Sequence, residues 1–103
     1  MQVNVNTDDN LRGGASLAAW VEKEVKDMLA HYASALTRVE VHLGDENAGK
    51  SGELDKRCAI EARAAGMDPV SVTNKGPNVE EACRGALRKL RSVLESRLGR
   101  RQD

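Results

Sequence analysis

The sequence predicts an α+β fold: a two-layer sandwich of order β-α-β-β-β-α, with two helices packed on one face of a four-stranded sheet. Three observations carry this prediction. Short segments alternate between apolar and polar residues, two longer segments repeat apolar residues at steps of three and four, and both patterns occur in that order. A chain of 103 residues supports one modest core, so a single domain over 1–103 is expected.

Met1, Val3 and Val5 alternate with Gln2, Asn4 and Asn6, which gives a first strand with one buried face. The polar connection TDDNLRGGA follows, and Ser16 is the expected N-cap of the first helix. Leu17, Val21, Val25, Met28, Leu29, Tyr32 and Leu36 then share one face of a helix about five turns long. Glu22, Lys23, Lys26 and Asp27 lie on its opposite face. Alternation returns from Arg38 to Leu43, with β-branched Val39 and Val41, as a second strand. Cys58, Ile60, Ala62 and Ala64 alternate with Arg57, Glu61 and Arg63 up to Gly66, as a third. Leu54, Cys58, Ala62 and Ala65 also fit a helical spacing, but that helix would push Ile60 into water.

Val70 and Val72 mark a short fourth strand, closed by the turn residues Asn74-Lys75-Gly76-Pro77. Asn78 followed by Glu81 resembles a capping box and starts the second helix. Val79, Ala82, Cys83, Ala86, Leu87, Leu90, Val93 and Leu94 form its apolar face, and Gly99 stops it ahead of a short C-terminal tail. The sheet then keeps Gln2, Asn4, Asn6, Arg38, Glu40, His42, Arg57, Glu61 and Arg63 on its uncovered side.

Sixteen Lys and Arg balance sixteen Asp and Glu, so no global field draws the molecule toward nucleic acid or membrane. The balance is local. Residues 84–101 hold Arg84, Arg88, Lys89, Arg91, Arg97, Arg100 and Arg101 against Glu95 alone. No apolar run reaches the roughly 18 residues of a membrane span, and the N-terminus lacks a basic region followed by an apolar one, so a cytoplasmic location is expected. Cys58 and Cys83 are too few and too far apart for a disulfide scaffold and read as reduced core residues. Trp20 and Tyr32 are the only aromatic residues, too few for a sheet that stacks bases.

The stretch GDENAGKS, residues 44–51, satisfies the phosphate-loop pattern G-x-x-x-x-G-K-[ST]. Its neighbours speak against that reading. Gly52 follows Ser51 where a helix would have to begin, and Asp45 and Glu46 would repel phosphates inside the cradle. A flexible loop over 44–54 joining two strands is expected instead, without a nucleotide site. His31, His42, Cys58 and Cys83 show no metal-ligand spacing, and apolar-facing thiols do not make a Cys–His nucleophile. No metal, cofactor or catalytic group is expected.

The second helix is more informative. Arg84, Arg88 and Arg91 stand at i, i+4 and i+7, so they share one exposed stripe beside the apolar face, with Lys89 farther round. Such a stripe binds phosphates by charge-assisted, often bidentate contacts. An ordinary solvated helix end, favoured by the macrodipole, has the same composition.

The chain resembles the ribosome hibernation promoting factors, also called ribosome-associated inhibitors or sigma-factor modulation proteins, in their short form. The resemblance rests on Met1-Gln2-Val3-Asn4-Val5, the long helix from Leu17 to Leu36, Val39-Glu40-Val41-His42-Leu43, the cap at Asn78, and Arg88-Lys89-Leu90-Arg91-Ser92-Val93-Leu94. It implies the β-α-β-β-β-α fold and a non-enzymatic stress factor. Such a factor binds the small ribosomal subunit through basic helix residues on rRNA and so inhibits translation or favours hibernating ribosomes. Carried onto this chain, Lys89 matches a family lysine, and the Arg84, Arg88 and Arg91 stripe enriches the same helix; these four are the expected RNA contacts, with Lys23 and Lys26 second. Glu24 and Asp27 stand where the family usually has lysines, and Glu80 replaces a common aromatic. The rival expectation is a protein-interaction module or homodimer joined through the open sheet face, without RNA.

Overall fold

The computed structural model describes residues 1–8, 11, 13–46 and 55–99. Its elements are β1 (Gln2–Thr7), α1 (Gly14–Met28), a 3-10 turn (Ala30–Tyr32), β2 (Leu36–Asp45), β3 (Lys56–Ala64), β4 (Met67–Gly76) and α2 (Val79–Leu98). The predicted order β-α-β-β-β-α is therefore the observed one. The sheet runs β1-β2-β3-β4, with β1 parallel to β2 and the remaining neighbours antiparallel. A parallel neighbour cannot be reached by a hairpin, and α1 provides the crossover.

Register fixes which side is buried. Val3 lies opposite Val39 and Val5 opposite Val41; across the next ladders Ile60 faces Val41 and Val72, and Ala62 faces Val39 and Val70. These residues form the side covered by helices, where α1 packs beside β1, α2 lies over β3 and β4, and the helices meet each other. Val21, Val25, Leu29, Val39, Val41, Ile60, Leu87, Leu90 and Leu94 are fully buried, as the alternation and the helical spacing predict. Each buried Leu or Ile contributes about 1.5–3 kcal/mol relative to exposure.

Cys58 of β3 and Cys83 of α2 are buried free thiols. A hydrogen bond between them, reinforced by burial, pushes Cys58 far above the ordinary thiol range. Cys58 stays a neutral thiol.

Several local expectations are corrected. Ser16 does not cap α1: the helix starts earlier, its N-cap is Gly13 at φ 121°, and no side chain bonds the first turn. The first helix is also shorter than predicted. It ends at Met28, the 3-10 turn follows, and Leu36 opens β2 although its spacing continues the helical face. His31 sits in that turn, edge-on to Tyr32 at 4.9 Å between ring centroids. β4 is not short: it spans ten residues and includes Asn74, Lys75 and Gly76, which the sequence marks as a turn.

Gly44 and Asp45 extend β2 rather than opening a loop, and the Glu46 N–H donates to the Asp55 carbonyl at 2.8 Å across the base of the connection to β3. The connection thus joins antiparallel neighbours, as the flanking alternation predicts. Residues 47–54, including Gly49, Lys50 and Ser51 of the phosphate-loop pattern, lie outside the described residues, as does the tail after Gly99.

The N-terminus of α2 forms as its sequence predicts. Asn78 Oδ1 accepts from the Glu81 N–H at 2.8 Å, while Asn78 Nδ2 donates to Glu81 Oε2 at 3.3 Å. Glu80 and Glu81 also complement the positive end of the helix dipole. Asn78→Ala removes the cap and is expected to lower stability by about 1 kcal/mol, seen as a fall in Tm of roughly 4–8 °C in a thermal melt.

Candidate nucleic-acid interface

Polar side chains dominate two surfaces: the uncovered face of the sheet and the outward faces of the helices. On the sheet, Arg38 and His42 lie beside Glu40, with His42 Nε2 3.7 Å from it, and Arg63 pairs with Glu61 at 3.1 Å. At its end, Glu46 receives both Arg57 at 3.6 Å and Lys75 at 2.9 Å. Lys56 lies between Asp45 and Asp55, and the bond to Asp55 comes first among the causes holding its ammonium above the usual lysine range. Each sheet cation named here is thus offset by a carboxylate. Two shallow depressions of about 310 and 300 Å³ share His42 and Arg57 on this face.

The helices differ from one another. On α1, Lys23 pairs with Asp27 and Lys26 with Glu22, both at 2.8 Å and both i, i+4. The Asp27 hydrogen bond raises the affinity of Lys23 for its proton, but the pair is exposed and screened by solvent. On α2, Arg84 reaches across to α1: its Nε donates to Glu24 Oε2 at 3.3 Å, and its guanidinium carbon lies 5.2 Å from the centre of the Trp20 ring. Lys89 points the other way and donates to the Thr73 carbonyl of β4 at 2.8 Å.

Arg88 and Arg91 are exposed, as is Arg97 six residues farther along the helix. Among the described residues, the lysines and arginines without a carboxylate within ion-pair distance are Arg88, Lys89, Arg91 and Arg97. All four lie on α2. The helix earns its rigidity on the other side, where Ala82, Cys83, Ala86, Leu87, Leu90 and Leu94 are buried against the sheet. A rigid rod presenting unneutralised guanidinium groups at a one-turn spacing suits the phosphates of a folded polyanion.

The structure therefore divides the residues that the sequence singles out. Arg84, Arg88 and Arg91 share the stripe, Lys89 stands apart at the sheet edge, and Lys23 and Lys26 are engaged on their own helix. Trp20 and Glu24 were missed as parts of this surface. Only their spacing of four on α1 hinted that they act together, and the residue they hold is sixty positions away. Among the described residues, no helix is long and apolar enough to cross a membrane, and no group of His, Cys, Asp and Glu is arranged to hold a metal ion.

The fold has relatives. The family model described as sigma 54 modulation protein / S30EA ribosomal protein matches residues 3–102. The N-terminal domain of Thermus thermophilus Protein Y superposes with a TM-score of 0.73 at 21% identity, covering 93% of this chain and 98% of that one. A ribosomal subunit interface protein from Coxiella burnetii gives a TM-score of 0.75 at 11% identity, covering 96% of this chain and 99% of that one. At these identities the two structures share the fold. No curated protein matches the sequence.

Proposed function

The chain belongs to the sigma 54 modulation protein / S30EA ribosomal protein family, and from that premise we propose that it binds rRNA of the small ribosomal subunit. In this reading it is a cytoplasmic, non-enzymatic factor that inhibits translation or promotes ribosome hibernation under stress. The observation that carries the proposal is that, among the described residues, the lysines and arginines without a carboxylate partner all lie on α2. Arg88 and Arg91 grip phosphates directly, and Arg84 extends the stripe toward α1. Lys89 keeps two N–H donors beyond its bond to Thr73, while Lys23 and Lys26 contribute after releasing their carboxylates. Recognition of this kind reads backbone and shape rather than base sequence, in keeping with the shortage of aromatic rings.

Sedimentation of the protein with purified small subunits over a salt series tests the reading. Co-sedimentation is expected at low salt and is lost steeply as salt rises, because each phosphate contact releases counterions. Absence of co-sedimentation even at low salt would reject it. The open sheet face offers the rival reading, a docking or homodimer surface around His42 and Arg57. Substitutions at His42 or Glu61 that release the partner, with charge reversal of Arg88 and Arg91 leaving it bound, would favour that rival.

A further inference from the structure

Arg84 differs from the other arginines of the stripe in being held on two sides. Its Nε–H is taken by Glu24, whose side chain is only 19% exposed, and its guanidinium lies 5.2 Å from the Trp20 ring centre. Trp20 and Glu24 are four residues apart on α1 and so present one surface to α2. The Arg84 side chain itself remains 47% exposed. With Nε occupied, the N–H groups of Nη1 and Nη2 remain as donors, in the planar fork that matches two oxygens of a phosphate.

We propose that Trp20 and Glu24 are positioning residues that fix Arg84 as an oriented bidentate phosphate clamp in the furrow between α1 and α2. The inference rests on the rRNA-binding reading and specifies one of its contacts. Glu24 offsets the charge of Arg84, so the pair adds little long-range attraction; what it supplies is orientation. A free arginine must be immobilised on binding, at a cost in side-chain entropy that the platform has already met during folding. The Trp20 ring adds a cation–π attraction to the same guanidinium, whose carbon lies 5.2 Å from the ring centre.

A merely structural tie between helices would use the same contacts, so the test must separate folding from binding. Wild type, Trp20→Leu, Arg84→Gln and the double variant are titrated onto purified small subunits at fixed salt, with Trp20→Tyr retaining a ring and Arg88→Gln probing the rest of the stripe. Arg84→Gln is expected to weaken binding about tenfold and Trp20→Leu about threefold, while Trp20→Leu costs nothing further once Arg84 is gone. Trp20→Tyr binds within about twofold of wild type.

Glu24→Ala provides a second route should Trp20→Leu fail to fold. It removes a negative charge near the RNA yet is expected to weaken binding about threefold, because Arg84 loses its anchor. Equal losses on Trp20→Leu with and without Arg84, or tighter binding by Glu24→Ala, overturn the platform. If Arg88→Gln weakens binding while Arg84→Gln, Trp20→Leu and Glu24→Ala do not, the platform alone has failed. If Arg88→Gln also binds as wild type does, the rRNA reading has failed and the platform falls with it.

Discussion

Gly85→Ala is expected to lower stability by about 2 kcal/mol and Tm by roughly 10 °C, although alanine stabilises an unobstructed helix by about 1 kcal/mol. The reason lies beneath the helix. A Cβ at Gly85 would stand 2.0 Å from Asn74 Nδ2 and 2.7 Å from its Cγ. Asn74 is half-buried on the covered side of β4, where its amide donates to the Ala82 carbonyl at 3.2 Å. It can make room for a methyl group only by abandoning that bond inside the seam, which strains the packing of α2 on β4 and leaves a half-buried amide without its partner, together at about 1–3 kcal/mol. The double variant Gly85→Ala/Asn74→Ala separates the two effects. With the obstruction gone, Gly85→Ala becomes neutral or stabilising, and a chemical-denaturation cycle measures the reversal. A Gly85→Ala protein as stable as wild type would show that α2 does not approach β4 this closely.

Reversing Arg88 and Arg91 to glutamate is expected to weaken small-subunit binding by at least about a hundredfold at moderate salt, since two phosphate contacts become repulsions. The fold is expected to survive unchanged within about 0.5 kcal/mol, because both side chains are exposed and neither has a carboxylate partner among the described residues. The milder pair Arg88→Gln and Arg91→Gln should reduce the slope of log affinity against log salt by about 1 each. The slope counts phosphates rather than strength, so it separates a lost contact from a general weakening. Unchanged affinity and slope in the reversed protein would remove α2 from the interface.

The fold was legible because burial on one side of a sheet leaves a period of two and burial of a helix stripe leaves steps of three and four. Ile60 is the clearest case: it settled β3 as a strand and is buried opposite Val41 and Val72. Leu36 misleads by the same periodicity. It is apolar and in phase with Tyr32, but its burial comes from the start of β2 after the chain has left α1. Asn74 and Gly76 read as a turn because their local preferences favour one. In the folded chain their reasons are tertiary: the Asn74 amide serves α2, and a Cβ on Gly76 would lie 2.8 Å from the Ala82 nitrogen.

The candidate site divided along the same line. The stripe of Arg84, Arg88 and Arg91 follows from helix geometry alone and could be read directly. Which cations are already engaged could not, because Arg84 and Lys89 are held by Glu24 and Thr73, on elements remote in sequence. Local spacing states where a side chain points; only the tertiary arrangement states what already occupies it.

The bond from Lys89 to the Thr73 carbonyl also bears on how molecules of this protein avoid one another. β4 is an edge of the sheet and ten residues long, the kind of exposed ladder on which a second chain can add a strand and begin to aggregate. Lys89 occupies one of its carbonyls and sets a positive charge beside the row, while Pro69 withholds an N–H from it. Replacing Lys89 to probe RNA contacts would therefore also unguard an edge, and loss of such a variant to insoluble material would report on solubility rather than recognition.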